Sequence, residues 1–398
     1  MSGMSEKALE GIKVLDMSRV LAGPHCAAIL ADLGAEVLKI EEPGMGDEAR
    51  FLRPFSNGES AYYMNFNRGK KGITLNLKSG KDIFLQLVKD ADILVENFRP
   101  GVMARLGLDY ETLSKLNPGL IYVAISGYGQ SGSNSQLPGY DPIAQAMSGI
   151  CSVTGWPDAE PARCGAPVAD VLAGINGAVG ALAALNYRNR TGKGQMIDVS
   201  LVDVSVSALA SLNQVYLSEG RVPSRQGNGT EAAAPGGSCH AKDGTVIFAA
   251  GNDRLWPKLA ALMGRPELAE DERFSKNAQR VKHRRELEEI IDQWAGQLTA
   301  DEVVAQMRSV KIPAGPVYTI DQVVNDACIA KERNMFVTIQ HPAAGEVRIT
   351  NNPLKMSLTP PQVQGSSPTL GQDNESVYGG ILHMDSAQIQ ALREEKII

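Results

Sequence analysis

A chain of 398 residues exceeds the size at which a single hydrophobic core keeps growing, so its length favours two domains. Apolar residues make up 43% and charged residues 21%, proportions typical of a globular protein rather than a disordered one. The net charge of −6 disfavours a nucleic-acid binder, because such a protein needs a basic surface to replace phosphate counterions.

Cysteine usage and the apolar runs predict a cytoplasmic protein. The five cysteines are scattered and odd in number, with no CxxC pair and no metal-ligand spacing, which favours a reducing compartment and no metal site. Residues 1–10 lack the apolar core of a secretory signal. The longest weakly polar run, Gly174–Leu185, is shorter than the roughly 20 apolar residues of a membrane helix, so we expect a packed internal helix there and no membrane span.

The first 130 residues alternate short apolar runs with helical stretches. The last of these runs shows no alternation, which is typical of a strand buried on both faces of a parallel sheet. This spacing predicts right-handed βαβ units and therefore a doubly wound, Rossmann-like α/β domain. In chain order the predicted elements are strand Ile12–Met17, helix Pro24–Leu33, strand Glu36–Ile40, helix Ile83–Lys89, strand Ile93–Glu96 and strand Leu120–Ser126.

A polar, glycine-marked stretch near residue 225 separates this pattern from a second style of chain. Val246–Ala250 is predicted to be a strand, and apolar residues between Leu287 and Leu298 fall on one helical face. Thr299, with Glu302 three residues later, forms a capping box that opens the next helix. We predict a large domain over 1–224, a small α+β domain over 225–325, and a segment over 326–398 that returns to the large domain and ends in a helix, Ser386–Lys396.

The turn after the first strand, Ser18–Pro24, lacks the G-x-G-x-x-G fingerprint of a dinucleotide site. In that fingerprint the glycines let the backbone approach a pyrophosphate, so their absence disfavours a nicotinamide or flavin enzyme. The helix that follows still offers free N–H groups to an anion, although an ordinary helix started by proline is the more common case.

Val95–Gly101 follows a buried strand, and ligands of open α/β sheets bind at the carboxyl ends of strands. Asn97 can hydrogen-bond a base or an amide, Phe98 can stack on a purine, and Arg105 can pair with a phosphate. A proline-broken loop with an exposed arginine explains the same residues equally well.

Two further features have a common structural explanation. The basic stretch Asn67–Lys71, together with Lys78, is more often solvated surface than a ligand site. Asp170 precedes a helix predicted to start near Val171, where aspartate is a favoured N-cap, so the local pattern favours a structural role. Three glycines keep that helix thin, which predicts close packing by another element: Gly174, Gly177 and Gly180.

The sequence lacks the signatures of several other catalytic schemes. Its five histidines are scattered and form no HExxH pattern, which disfavours a zinc protease. It also has no G-x-S-x-G elbow and no Walker A motif, so a serine hydrolase and a P-loop NTPase are disfavoured.

Taken together, segments along nearly the whole chain resemble the class III CoA-transferase family, also called the CaiB/BaiF or formyl-CoA transferase family. Each segment alone is a weak signal, but their order is specific. The segments are Gly11–Asp16, Leu21–Pro24, Leu33–Glu41, Val95–Gly101, Ser126–Gly129, Arg190–Gln195 and Ile312–Val317.

The resemblance implies an interlocked homodimer that binds CoA between its large domain and a loop of its small domain. CoA would enter as a thioester substrate, with no other cofactor, and the partners would be acyl-CoA and carboxylic acids rather than nucleic acid or membrane. The catalytic residue falls on Asp170, and the lid loop falls on Gly227, Asn228 and Gly229. The implied CoA contacts are Val20, Ala22, Leu75, Lys78, Asn97, Phe98, Arg105 and Tyr140.

The implied reaction uses the Asp170 carboxylate as a nucleophile that forms an acyl anhydride and then a CoA thioester. The backbone N–H groups of the lid loop are candidates for stabilising the tetrahedral oxyanions. The overall pattern is most similar to members that use small dicarboxylates such as oxalate or succinate, and Arg50 and Arg163 are candidates for binding a distal carboxylate.

Two alternatives remain open at this stage, a non-catalytic CoA-binding relative and an α-methylacyl-CoA racemase. Racemases need a histidine where this chain has Tyr140, which favours transfer. The chain also departs from the family pattern at Leu21, where formyl-CoA transferases have glutamine. It departs again at Glu42, where relatives often have a basic residue near the adenine, and at Glu231 of a glycine-poor lid region, where they often have histidine.

Overall fold

The computed structural model describes residues 7–398, and the chain forms two compact units. The first contains the chain up to Gly149, Cys164–Ala210 and Ala327–Ile398, and the second contains Ile150–Arg163 and Ser211–Asp326. The small domain predicted over 225–325 falls inside the second unit, which begins earlier in the chain and also includes a separate short segment.

The strands are β1 Lys13–Asp16, β2 Glu36–Glu41, β3 Phe55–Ser56, β4 Glu59–Ser60, β5 Lys71–Thr74, β6 Ile93–Glu96, β7 Ile121–Ser126, β8 Met196–Ser200, β9 Gly236–His240, β10 Thr245–Ala249, β11 Ala314–Pro316, β12 Phe336–His341 and β13 Gly345–Thr350. The α-helices are α1 Ala22–Asp32, α2 Ala61–Asn67, α3 Lys81–Lys89, α4 Val102–Leu106, α5 Tyr110–Leu116, α6 Asp141–Met147, α7 Ile150–Val153, α8 Val168–Thr191, α9 Leu201–Ala208, α10 Ser211–Glu219, α11 Trp256–Leu262, α12 Asn277–Lys282, α13 Arg284–Ala295, α14 Ala300–Ser309, α15 Ile320–Asn325 and α16 Ser386–Glu394. Short 3₁₀ turns at Glu48–Phe51 and Pro266–Ala269, and π-helical turns at Ala327–Glu332 and Glu375–Ile381, complete the list.

The first unit is built on a six-stranded parallel sheet of order β5-β2-β1-β6-β7-β8. Counted within the sheet this is the order 3-2-1-4-5-6, in which the winding direction reverses between β1 and β6. The predicted α/β class with a parallel sheet is confirmed. Strands β5 and β8 were not predicted, because β5 opens on a basic stretch and its apolar run is short.

Both faces of this sheet are covered by helices. Val14 of β1 packs with α1 and α8 on one face, whereas its neighbour Leu15 packs with α3 and α5 on the other. This alternation follows from the two-residue period of a strand, and it leaves the central strands buried on both sides.

The exposed edge of β5 is covered by the end of the chain. Asp373 accepts a hydrogen bond from the Gly72 N–H at 2.7 Å, and Asn374 accepts one from the Thr74 N–H at 2.9 Å. The Tyr378 hydroxyl donates to the Thr74 carbonyl at 2.6 Å. These side chains satisfy backbone groups that an edge strand otherwise presents to another chain.

Helix α8 crosses the sheet and contains the predicted small-residue run. Residues Gly174, Gly177 and Gly180 lie where a Cβ would meet Ala22 O at 2.8 Å, Cys26 Sγ at 3.1 Å and Ile197 Cγ2 at 2.8 Å respectively. The predicted close packing is therefore present. By length and composition alone, α8 would also suit a membrane span, a property that core helices share.

The second unit has a three-stranded antiparallel sheet of order β11-β10-β9. Its core contains Trp256, Phe274, Leu287 and Ile291, so the apolar face predicted for α13 is buried. The capping box at the start of α14 is also present, with the Thr299 hydroxyl accepting from the Glu302 N–H.

Candidate active site

Two loops meet at the point where the strand order reverses, one after β1 and one after β6. The Asn97 side chain joins them, since its Oδ1 accepts a hydrogen bond from the Arg19 N–H at 2.7 Å and its Nδ2 donates to the Arg19 carbonyl at 2.8 Å. The amide interpreted from the sequence as a contact for a base therefore holds the β1 loop. Crevices at this point are the usual ligand sites of doubly wound sheets.

The β1 loop has a constrained backbone. Val20 has a φ of 65°, in the left-handed region that valine rarely adopts. Its N–H donates to Asp47 Oδ1 at 3.0 Å, and Lys39 Nζ donates to the Ser18 carbonyl. A Cβ on Gly23 would lie 2.1 Å from Ser18 Cβ, so only glycine fits there.

Buried ion pairs lie beneath this loop. Lys70 Nζ is 2.7 Å from Asp16 Oδ2, and Lys39 Nζ is 2.9 Å from Asp47 Oδ2 and 4.0 Å from Asp16 Oδ2. Burial alone would raise the pKa of Asp16, but the two ammonium groups outweigh it and hold that pKa below its ordinary value. The prediction that Lys70 lies on the solvated surface is therefore wrong. Lys70 is buried because its ammonium group pairs with Asp16, a carboxylate 54 residues away in the sequence.

The same correction applies to the neighbouring arginine. Arg68 is buried and pairs with Asp32, Nη2 to Oδ2 at 2.6 Å and Nε to Oδ1 at 3.2 Å. Only Lys71 and Lys78 of the predicted basic residues are exposed.

A cavity of about 300 Å³ opens at the carboxyl ends of these strands. Its lining includes Leu75, Lys78 and Phe98 of the predicted CoA contacts. The guanidinium of Arg19, which was not predicted, lies 5.1 Å from the centroid of the Phe98 ring and 3.7 Å from Glu42 Oε2. Cationic and aromatic groups therefore line the cavity together with three acidic residues, Glu41, Glu42 and Asp47.

The other predicted contacts do not line this cavity. Val20 and Asn97 belong to the loops beside it, and Ala22 is the first residue of α1. Arg105 is exposed, and Tyr140 is 63% exposed at the start of α6. A larger cavity of about 920 Å³ lies at the opposite edge of the sheet, since Lys13, Glu36 and Lys71 at the starts of three strands line it.

Asp170 lies in the first turn of α8, not before it. The helix begins at Val168, so the prediction that Asp170 is the N-cap is wrong. Capping is supplied by Asp141 of α6, whose Oδ1 accepts from the Ala169 N–H at 2.8 Å and from the Asp170 N–H at 3.4 Å. Since a second carboxylate satisfies the helix N-terminus, the Asp170 side chain is not used for that purpose.

Burial, together with the nearby charge of Asp141, raises the pKa of Asp170 to about 7. Such a carboxylate is more basic than an ordinary aspartate and titrates near neutral pH. No sequence pattern singles out Asp141, and nothing local indicates that it would reach a helix that starts 27 residues later.

Aromatic side chains lie near the same turn. The hydroxyl of Tyr62 has a pKa raised by burial and by the charges of Asp170 and Asp47. Tyr62 packs edge-on against Phe66, with ring centroids 5.2 Å apart, and Phe66 packs edge-on against His25 at 5.7 Å. Burial, with the charges of two nearby basic groups, lowers the pKa of His25 to about 4, so its ring is neutral at neutral pH.

We expect Gly174→Ala to destabilise the protein by about 1–3 kcal/mol, the usual cost of overpacking. A Cβ at this position would lie 2.8 Å from Ala22 O and 2.9 Å from His25 Cδ2, so α1 must shift away from α8. The urea midpoint should fall. As a control, Gly380→Ala, whose added Cβ would meet no atom within 4 Å, should leave the midpoint unchanged or slightly raised. Equal midpoints for the two variants would contradict the packing argument.

The predicted lid loop lies in the second unit. The Gly227 N–H donates to the Gly155 carbonyl at 2.9 Å, and the Gly229 N–H donates to the Gln226 carbonyl at 3.0 Å. Both N–H groups therefore have hydrogen-bond partners within the second unit in this structure. Glu231 accepts hydrogen bonds from Arg221 and from the Ser224 hydroxyl, so it ties the loop to its own unit.

Arg50 is also not available for a distal carboxylate. Its guanidinium donates to Glu41 Oε2 at 2.8 Å and to Oε1 at 2.7 Å, and further to the Tyr63 hydroxyl at 2.7 Å. The pattern of a lone arginine in sequence did not indicate these partners.

Comparison with known proteins identifies the family. The model of CoA-transferase family III matches residues 9–374. The chain is 35% identical over 396 residues to succinyl-CoA–D-citramalate CoA-transferase of Chloroflexus aurantiacus, covering 98% of each chain. It is 40% identical over 351 residues to acetyl-CoA:oxalate CoA-transferase of Acetobacter aceti, covering 87% of this chain and 89% of that one.

A solved structure gives the same result. The crystal structure of a CaiB/BaiF family protein from Brucella suis superposes with a TM-score of 0.86 at 36% identity, covering 94% of this chain and 100% of that one. The resemblance seen in the sequence motifs is confirmed at the level of the whole chain. The chain belongs to CoA-transferase family III and is a CoA-transferase.

Proposed function

We propose that the protein moves CoA from an acyl-CoA to a small dicarboxylate, with Asp170 as the nucleophile. The observation that carries this proposal is the Asp170 carboxylate, which is partly buried in the first turn of α8 with a pKa near neutrality. The names of several relatives pair succinyl-CoA or acetyl-CoA with citramalate, malate, glutarate or oxalate, which supports a dicarboxylate acceptor.

The reaction conserves the thioester bond through two exchanges. An Asp170 oxygen attacks the thioester carbonyl, forming an anhydride and releasing CoA thiolate. The thiolate attacks the aspartyl carbonyl, which forms an aspartyl-CoA thioester and releases the donor acid. The acceptor carboxylate then attacks that thioester, which forms a second anhydride with Asp170 and releases CoA thiolate. The thiolate attacks the acceptor's acyl carbonyl in this anhydride, which forms the new acyl-CoA and regenerates the Asp170 carboxylate. Water must be kept out, because hydrolysis of either anhydride would lose the thioester.

The cavity of about 300 Å³ would take the nucleotide end of CoA. Arg19 and Lys78 would pair with its phosphates, and the Phe98 ring would pack against the adenine. Leu75 lines this cavity, and the adjoining loops and the start of α1 contain Val20, Asn97 and Ala22. The proposal requires no cofactor beyond the CoA substrate. The lid loop at Gly227–Gly229 would have to exchange its internal hydrogen bonds to act on an oxyanion.

An interlocked homodimer in the cytoplasm completes the proposal. Helix α8 exposes an apolar row, with Ile175 41%, Val179 59% and Tyr187 43% exposed, as expected of a surface that another chain covers. The five cysteines form no disulfide, which agrees with a reducing compartment. Sedimentation of the full chain at micromolar concentration tests the dimer, and a monomer would refute it.

The function is tested by incubating the protein with succinyl-CoA or acetyl-CoA and a panel of oxalate, malate, citramalate, glutarate and acetate. We expect new CoA esters of at least one dicarboxylate and little from acetate. A parallel incubation of 2-methylacyl-CoA in deuterated water tests the racemase alternative. Exchange of the α-proton without CoA transfer would refute the proposal in favour of a racemase. Binding of CoA without either reaction would indicate a non-catalytic relative.

We expect the rate of acylation by acyl-CoA to rise with pH and to level off above about pH 7. The protonated form of Asp170 cannot attack a thioester, and burial together with Asp141 raises the pKa of this carboxyl to about 7. Single-turnover release of CoA thiolate between pH 5 and 9 measures this midpoint. A midpoint near pH 4, the value of an ordinary aspartate, would contradict the described environment of Asp170.

A further inference from the structure

Gln145 lies one helical turn after Asp141 on α6, and its side chain is completely buried. Its Oε1 accepts a hydrogen bond from the Cys164 N–H at 2.8 Å, and its Nε2 donates to Asp141 Oδ2 at 2.7 Å. A backbone N–H can only donate, so the contact with Cys164 determines which end of the amide is oxygen. The NH₂ end must then face Asp141, and it donates to Oδ2 of that carboxylate.

The two oxygens of Asp141 have different partners. Oδ2 is held by Gln145, while Oδ1 accepts from the N–H groups of Ala169 and Asp170. The N-cap position of α8 is Pro167, which has no side-chain hydrogen bond to offer. Asp141 therefore replaces the missing cap, and its orientation determines where the first turn of α8 places Asp170.

The charge near Asp170 comes chiefly from Asp141. Among the described residues, other titratable groups near this part of α8 include Tyr62 on α2, which burial keeps protonated, and His25 on α1, which lies against Gly174 and is neutral at neutral pH. A change in the orientation of Asp141 should therefore act directly on Asp170.

We propose that Gln145 is a positioning residue for the CoA-transfer reaction, acting through Asp141 on the nucleophile Asp170. This inference rests on the proposed role of Asp170. It assigns to the amide the task of holding the Asp141 carboxylate in the orientation that caps α8.

Gln145→Glu tests whether the donation to Asp141 matters for the reaction or whether Gln145 only holds the Cys164 segment in place. A glutamate can still accept from the Cys164 N–H, but when ionised it cannot donate to Asp141. We expect kcat to fall about 10-fold or more, the KM for acyl-CoA to change less than about 2-fold, and the pH midpoint of acylation to rise by about one unit because negative charge is added. A variant with wild-type kcat and midpoint would overturn the proposal.

Gln390→Glu on α16 is a matched control. The Gln390 amide also donates to a carboxylate four residues away on the same helix, Glu394, at 3.0 Å, but this pair is exposed. We expect its kcat, KM and pH midpoint to equal those of the wild type. A loss equal to that of Gln145→Glu would show a general effect of added charge and would overturn the proposal.

The Asp141→Asn background supplies a second test that does not depend on Gln145→Glu alone. Removing the charge of Asp141 should lower the pH midpoint of acylation, and adding Gln145→Glu to it should then cost much less than in the wild type. If the two substitutions reduce kcat independently, so that their fold-changes multiply, the proposed role of Gln145 is overturned.

Hydroxylamine trapping on the wild type distinguishes failure of this inference from failure of the proposed function. Modification at a residue other than Asp170 would refute the proposed function. Trapping at Asp170, combined with independent effects of the two substitutions, would refute only the role of Gln145.

Discussion

Replacing Asp170 with alanine should lower CoA transfer by at least about 1,000-fold, because the variant lacks the group that forms both covalent intermediates. The side chain in the first turn of α8 is not engaged in capping its helix, a task that Asp141 performs. Its loss should therefore leave the helix intact. Transfer is measured by the appearance of the acceptor's CoA ester, and hydroxylamine should trap a hydroxamate at Asp170 of the wild type and none at this position of the variant.

Asp170→Asn provides a variant whose folding can be predicted. The pKa of Asp170 is raised to about 7 in the folded protein from an ordinary value of 3.8, so ionisation costs stability that grows as pH rises through this range. The variant should therefore be more stable than the wild type at pH 8, and equal to it near pH 4. Because Asp170 is partly exposed, we expect a gain of about 1–2 kcal/mol rather than the full shift.

These two variants together make the catalytic assignment testable without ambiguity from misfolding. An Asp170→Asn protein that is folded and stabilised at pH 8 but inactive supports the nucleophile. Full transfer activity in either variant would remove Asp170 from the mechanism, whatever the stability.

Replacing Asp16 with asparagine should destabilise the protein by about 3–5 kcal/mol, the usual cost of leaving a buried charge without its partner. Asp16 is fully buried and accepts from Lys70 Nζ at 2.7 Å, with Lys39 Nζ at 4.0 Å. The neutral amide would leave Lys70 without the carboxylate to which it donates, while Lys39 would keep Asp47. Urea unfolding at pH 7 measures the loss.

The pH dependence of this loss follows from the lowered pKa of Asp16 in the folded protein. The contribution of the carboxylate is present above its unfolded value of 3.8 and disappears as pH falls through the folded value, so wild type and variant should converge in acid. Asp109→Asn is the control, since Asp109 caps the exposed start of α5 by accepting from the Thr112 N–H at 2.9 Å, and asparagine caps nearly as well. A difference under 1 kcal/mol between Asp16→Asn and wild type would refute the buried network as a source of stability.

This network also connects stability to the site. Lys39 donates to the Ser18 carbonyl, and Asp47 accepts from the Val20 N–H, so both residues hold the β1 loop in its left-handed turn. We expect Asp16→Asn to weaken CoA binding as well, because Lys39 contacts both Asp16 and Asp47 and also holds the β1 loop through the Ser18 carbonyl.

The strands of the parallel sheet and their order of appearance were largely predictable. Uninterrupted apolar runs such as Ile121–Ser126 report burial on both faces, and the capping box of Thr299 reports a helix start, because both signals are carried by residues adjacent in sequence. Family motifs placed Asp170 without any help from its local pattern, which favoured a simple N-cap.

The sequence by itself thus determined the α/β class, the family and the position of the candidate nucleophile, since these depend on local periodicity and on the order of motifs. Only the tertiary structure decided that Lys70 is buried beside Asp16, that Asn97 holds Arg19, and that Asp141 caps the helix of Asp170. Each of these pairs joins residues 28 to 78 positions apart. Whether a charge is solvated or paired depends on which groups the fold brings within hydrogen-bonding distance, and no local pattern carries that information.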